Sequence, residues 1–180
     1  MERLSIVIPS YNQAQYLPVT LDSVFAQQPP PFQVIVVDGG STDGTLEILE
    51  TYASKYPELE WLSEPDDGPA DAVNKGLARV RGDIIGIQSS DDIYYPGAFA
   101  EVIGIFARRS DIGFVYGDVC HIDRSGNEMS TRTFRDFSWS FLFGVSLSIP
   151  QSSIFFRKVV ADKVGGWNPD YYSCDIENLF

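Results

Sequence analysis

Ser89-Ser90-Asp91-Asp92 sets two adjacent carboxylates directly behind the apolar run Asp83 to Gln88 (DIIGIQ). Two like charges held side by side are costly unless a cation neutralises them. Magnesium and manganese take oxygen ligands and commonly bridge one or two carboxylates to substrate phosphates. As an isolated dipeptide the pair reads first as a solvated turn or a helix cap, so its position has to decide. A second polar segment, Asp38-Gly39-Gly40-Ser41-Thr42-Asp43-Gly44-Thr45, also follows an apolar run. Its glycines let a ligand approach the backbone, and the helix start behind it favours negative charge. Taken alone it is a βα turn capped by Ser41, Thr42 or Thr45. It contains neither GK[ST] nor GxGxxG, which removes support for ATP hydrolysis and dinucleotide binding.

The elements that must position these residues follow from periodicity. Leu4 to Ile8 (LSIVI) predicts a buried strand ended by Pro9. Leu17, Leu21, Val24 and Phe25 recur at helical spacing, with Pro18 tolerated in a first turn. Gln33 to Val37 predicts the second strand, Trp61-Leu62 a weaker third, and Asp83 to Gln88 the fourth. Helices are expected around Leu46, Leu49 and Tyr52, around Val73, Leu77 and Val80, and around Phe99, Val102, Ile103 and Phe106. Gly113 to Gly117 is a further strand. Strands alternating with helices in this way give a mostly parallel α/β sheet covered by helices. Ligands of such sheets bind beyond the carboxyl ends of the strands. The polar segments sit at those ends: Pro9 to Asn12, Asp38 to Asp43, Asp66 to Gly68 and Ser89 to Asp92. After Asp118 the pattern changes to a hairpin around Arg124 to Asn127 and an aromatic stretch (FSWSFLF), expected as a small insertion that caps the sheet.

Composition narrows the partners. The 180 residues carry 13 Lys and Arg against 25 Asp and Glu, a net charge of −12. That balance argues against nucleic acid and against a polybasic membrane patch. An acidic protein that handles an anionic substrate must hold it on a metal or on backbone N–H groups. Cys120 and Cys174 lie far apart, so a disulfide framework or a cysteine zinc site is not expected, and a reducing compartment is. No secretory leader pattern opens the chain, and no apolar run reaches the roughly 20 residues that span a bilayer. The last residues, Asp-Ile-Glu-Asn-Leu-Phe, start a helical pattern without a stop signal, so a longer protein is expected.

The ordered blocks IVIPSYNQAQYL, VVDGGSTDGT, EPDDGPADAVNKGL and GDIIGIQSSDD together resemble family 2 glycosyltransferases of the GT-A fold. The likeness runs from about Leu4 to Phe180, and the forms Gly-Gly-Ser-Thr-Asp-Gly and Tyr-Gly-Asp-Val are similar to the branch that builds bacterial surface polysaccharides. It implies one domain over residues 1–180, with a nucleotide-sugar half at 1–118 and an acceptor-side half at 119–180. It implies that Pro9, Tyr11 and Asp38 cradle the nucleotide base, and that Asp67 and Lys75 lie beside base and diphosphate. Asp91 and Asp92 would hold a divalent cation, Mn2+ or Mg2+, with Asp91 also on the nucleotide sugar. Asp175 would be the general base, with Glu177 its nearest rival, and Gln151 would lie near the acceptor. Two positions depart from the pattern: Gly39 stands where many relatives carry a second acidic residue, and Cys174 where an acid usually precedes the base.

The resemblance implies an inverting single displacement. A sugar, with a UDP-sugar favoured as donor, would pass to a saccharide or lipid-linked acceptor. A cytoplasmic place is expected, with peripheral association at the inner face of a membrane as an extension of it. Two rivals remain at this level. A sugar-phosphate nucleotidyltransferase would normally show a Gly-rich basic loop near its start, and SYNQAQ has neither feature. A non-catalytic nucleotide-sugar-binding module is the other. His121, the single histidine, has no second histidine to share a metal. Trp139 and Trp167 are candidates for stacking on acceptor sugars, with packing beside Gly165-Gly166 an equal account of Trp167.

Overall fold

The computed structural model describes residues 2–134 and 151–168. The first apolar run becomes β1 (Leu4–Ser10), and its side chains enter two separate layers. Leu4, Ile6 and Ile8 join one apolar cluster, while Val7 joins another. Side chains alternate across a strand, so a run apolar at nearly every position is stable only with both faces covered. β2 (Gln33–Asp38) repeats the pattern, with Val34 and Val36 on the first face and Ile35 and Val37 on the second. With β3 (Leu59–Ser63) and β4 (Ile84–Ile87) these strands form a parallel group in the order β3-β2-β1-β4.

The helices are α1 (Leu17–Phe25), α2 (Thr45–Lys55), α3 (Pro69–Leu77), α4 (Ala98–Arg108) and α5 (Lys158–Val164). Side chains of α1, α2 and α4 pack on the first face, and those of α3 and α5 on the second. α1 carries its proline in the first turn, where the missing N–H has no partner to lose. α4 buries Phe99, Val102, Ile103 and Phe106, the stripe that its spacing predicts.

The expected mostly parallel, helix-covered sheet is therefore present, and so is the small antiparallel element. β5 (Phe114–Tyr116) leads into β6 (Val119–Ile122), which pairs with β7 (Glu128–Arg132) in a two-stranded sheet. Their turn is held by Asp123, whose carboxylate accepts N–H bonds from Ser125 and Asn127 at 2.8 and 2.9 Å. Periodicity predicts no strand at β8 (Ile154–Arg157), yet β8 lies inside the main sheet, antiparallel between β4 and β5. The segment after Asp118, expected as a cap, thus supplies one strand of the sheet itself. Gly86 makes room for it: a side chain there would begin 2.8 Å from the Phe155 ring, which instead lies across β4. Arg157 then locks the end of β8. Its guanidinium donates to the carbonyls of Phe106, Arg109 and Ile112 and pairs with Glu2 at 3.0 Å. A cation at the last turn of α4 also complements the helix dipole. Among the described residues no helix is long and apolar enough to cross a membrane.

Candidate functional site

Because β1 to β4 run parallel, the loops that leave their carboxyl ends meet on one rim. The first two loops are bonded to each other. The Gly39 N–H donates to the Ser10 carbonyl at 2.9 Å, and the Asn12 N–H donates to Ser41 Oγ at 2.7 Å. Thr42 N–H reaches Asn12 Oδ1 at 3.0 Å, and Ala14 N–H reaches Asp43 Oδ2 at 2.9 Å. Asn12 sits at φ 53, in the left-handed region that asparagine tolerates better than most residues.

Asp38 is fully buried at the end of β2. Its Oδ2 accepts from the N–H groups of Gly40 (3.0 Å) and Ser41 (2.9 Å) and from the Ser63 hydroxyl (2.7 Å). Its Oδ1 accepts from the Ser41 hydroxyl. A buried charge is stable only when donors surround it. These donors come from the β2 loop and from β3, so the carboxylate ties the two strand ends together from beneath the rim.

Above it lies a cleft of about 370 Å³ whose walls include Pro9, Tyr11, Asp66, Asp91 and Gln151. Pro9, Tyr11, Asp91 and Gln151, all singled out in the sequence, are thus brought together. Tyr11 is 61% exposed, leaving its ring free to stack on a planar ligand. From the β3 loop it is Asp66, placed on the rim by the sequence but given no role of its own there, that lines the cleft. Gly68 at φ 106 turns the chain into Pro69 and α3, and its N–H donates to Asp66 Oδ1 at 2.9 Å. Asp67 is exposed outside that wall, and its N–H donates to Asp71 at 3.3 Å.

Lys75 does not line the cleft. Its ammonium pairs with Asp71 at 3.0 Å and Glu64 at 3.1 Å and donates to the Pro65 carbonyl at 3.2 Å. Asp71, and after it Glu64, hold the Lys75 pKa above its ordinary value. The lysine fastens α3 to the β3 loop and so steadies Asp66.

At the end of β4 the two acidic residues part. Asp91 is exposed in the cleft, whereas half-buried Asp92 lines a second cavity of about 390 Å³ on the α4 side, with Tyr94, His121 and Ser152. Burial pushes the Asp92 carboxyl above the usual range, the Ser152 hydroxyl counters this, and the charge of Asp91 adds to the rise. Such a pair is what a cation would relieve. Among the described residues no cluster of three or more His, Cys, Asp or Glu side chains stands ready to hold a metal. Two carboxylates fit an ion of the magnesium type, whose remaining positions go to phosphate oxygens and water.

Among the described residues buried Gln88 has no partner at either amide atom, and the hydroxyls of Tyr94 and Ser10 are likewise unbonded. None of the three was singled out in the sequence, and no residue type or spacing distinguishes them there. Trp167 resolves toward packing: its ring lies 6.0 Å from that of Phe156, and its backbone N–H donates to Asn74 Oδ1 at 2.6 Å. Asp175, Glu177, Cys174 and Trp139 lie outside the described residues.

Comparison with known proteins adds to this geometry. The sequence profile of Glycosyl transferase family 2 matches residues 5–165. A PGL/p-HBAD biosynthesis glycosyltransferase of Mycobacterium bovis is 32% identical over 174 residues, covering 93% of this chain and 64% of that protein. The chain thus spans less than two thirds of that relative's length. Chondroitin synthase of Escherichia coli is 33% identical over 127 residues, covering 71% of this chain and 18% of its own. A mannosyltransferase from Pyrobaculum calidifontis, solved with GDP-Man and Mn2+, superimposes with a TM-score of 0.73 at 22% identity, over 97% of this chain and 50% of that one. TarS from S. aureus, solved with UDP-GlcNAc, gives 0.68 at 21% identity over 89% and 47%. The last two likenesses are of fold.

Proposed function

The chain belongs to glycosyl transferase family 2, and on that footing we propose that it moves a sugar from a nucleoside-diphosphate sugar to an acceptor hydroxyl, with inversion at the anomeric carbon. The observation that carries this reading is the cleft itself. It joins an exposed aromatic ring at Tyr11 to an acidic group at Asp91, at the carboxyl ends of parallel strands. Structural neighbours hold GDP-Man with Mn2+ and UDP-GlcNAc, which supports both donor class and cation. The Mycobacterium bovis relative is a biosynthetic glycosyltransferase, and the reading extends to cell-surface polysaccharide synthesis on a saccharide or lipid-linked acceptor.

In this mechanism Pro9 and Tyr11 hold the base, while Asp38 and Lys75 keep the surrounding loops in place. Asp91 and Asp92 would hold the divalent cation. That ion, when bound, stabilises the charge that develops on the departing diphosphate. Gln151, which lines the same cleft, would lie near the acceptor. Asp175 accepts the proton of the acceptor hydroxyl. The acceptor oxygen bonds to the anomeric carbon as the bond from that carbon to the diphosphate oxygen breaks, and the electron pair leaves with the nucleoside diphosphate.

The test uses the full chain. Nucleoside diphosphates should raise its melting temperature with Mn2+ and much less with EDTA, because a ligand of the folded state stabilises by mass action. Asp175→Asn should slow transfer about a hundredfold or more, the usual contribution of a positioned base, and keep nucleotide affinity. Absence of any nucleotide-induced stabilisation, with or without metal, would overturn the assignment.

A further inference from the structure

The β2 and β3 loops meet at one point where a side chain is missing and a carboxylate fills the gap. A Cβ added at Gly39 would stand 2.8 Å from Asp66 Oδ2, closer than such atoms pack, and 3.2 Å from Asp66 Cγ, tighter than most, so the carboxylate would have to shift. Gly39 has no positive φ, so backbone freedom does not account for glycine here. What glycine supplies is room for the Asp66 carboxylate.

That carboxylate has one oxygen committed and one free. Oδ1 accepts from the Gly68 N–H at 2.9 Å, a bond that fixes the rotation of the group. Among the described residues Oδ2 has no hydrogen-bond partner, and Asp66 shares the cleft with the exposed ring of Tyr11. A planar base stacked on Tyr11 turns its edge toward the cleft walls. An anionic acceptor at that edge bonds a ring N–H and repels a ring nitrogen that carries a lone pair.

Resting on the transfer reading above, we propose that Asp66 is a specificity-determining residue for the base of the donor. Its Oδ2 accepts an imino N–H, which uracil and guanine present and cytosine and adenine do not. Gly39 is the companion residue that lets the carboxylate stand there. Asp67, beside it in sequence, faces solvent and takes no part. Lys75 contributes indirectly by holding the loop through Glu64 and Asp71.

The geometry makes the aspartate-to-asparagine change informative. In Asp66→Asn the Gly68 N–H still demands an acceptor, so the amide oxygen takes that side and the NH2 is turned to the base. A donor at that place opposes an imino N–H and suits the ring nitrogen of cytosine. Binding of UDP, GDP, CDP and ADP to the full chain with Mn2+ should be measured by calorimetry for the wild type, Asp66→Asn and Gly39→Ala. The wild type should favour UDP or GDP over CDP and ADP by about tenfold or more, the scale of one hydrogen bond to a charged group. Asp66→Asn should lower the UDP-to-CDP preference by about tenfold or more. Gly39→Ala, by displacing the carboxylate, should lower the preference without a gain for CDP. Equal weakening of all four nucleotides in Asp66→Asn, an unchanged ranking, or a wild type that prefers CDP or ADP would each overturn the assignment of Asp66. A wild type that binds none of the four would overturn the transfer reading instead.

Discussion

At the carboxyl end of β2 the buried carboxylate of Asp38 receives bonds from Gly40, Ser41 and Ser63. Across β1, just past the end of β4, the equally buried amide of Gln88 has no partner at either atom among the described residues. Both residues follow apolar runs, both lie under the same rim, and only one is satisfied by the chain. The β2 end is complete before any ligand arrives, so its polar groups contribute to the fold. Around the β4 end the chain leaves polar capacity unused: Gln88, the Tyr94 hydroxyl, and an acidic pair divided between two cavities. Substitutions at the two ends should therefore be felt in different quantities, stability at one and ligand binding at the other.

The largest effect is expected at Asp38. Asp38→Ala strands two N–H groups and two hydroxyls, which should cost about 3 kcal/mol. For a chain of this size that lowers the melting temperature by about 6–12 °C. A loss below about 1 kcal/mol in chemical denaturation would erase the contrast. Asp91→Ala should divide the other way. The residue is exposed, so the ligand-free melting temperature should stay within about 2 °C. Mn2+-dependent nucleotide binding should fall about a hundredfold, at least the scale that outer partners of metal sites reach. A large stability loss with intact binding would reverse the comparison. The smallest change, Tyr94→Phe, removes a buried hydroxyl without a partner and should stabilise by up to about 1 kcal/mol. A calorimetric melt that shows destabilisation instead would mean that the hydroxyl is bonded after all.

The parallel part of the fold was legible because LSIVI and QVIVV are apolar at almost every position, which only a strand covered on both faces explains. The helices were legible from the spacing of their buried residues. β8 was not, because its place depends on pairing with Ile84 to Gly86 and Phe114 to Tyr116, both distant in the chain. No local pattern records a partner that far away. At the site, Tyr11 and Asp91 were found where the strand ends predict them. Asp66 and Asp67 are chemically identical neighbours, and only the turn at Gly68 determines which one enters the cleft. The resemblance puts Lys75 beside base and diphosphate, while its ion pair with Asp71, four residues before it on the same helix, is visible in the sequence. Asp38 was recognised as a strand-end acid, but its donors come from three other residues, and one of them, Ser63, lies 25 positions away.

The position of β8 has a consequence for how the chain is made. A ribosome delivers β1 to β5 before residues 154–157 exist, and β8 is the strand that joins β5 to the rest. Until then β4 presents one bare edge of N–H and C=O groups, a template for pairing with another nascent chain. Synthesis halted before residue 154 would therefore leave an adhesive intermediate rather than a smaller stable sheet. Arg157, the last residue of β8, then bonds Glu2, two residues ahead of β1, so the strand made late also fastens the segment that leads into the first strand of the sheet.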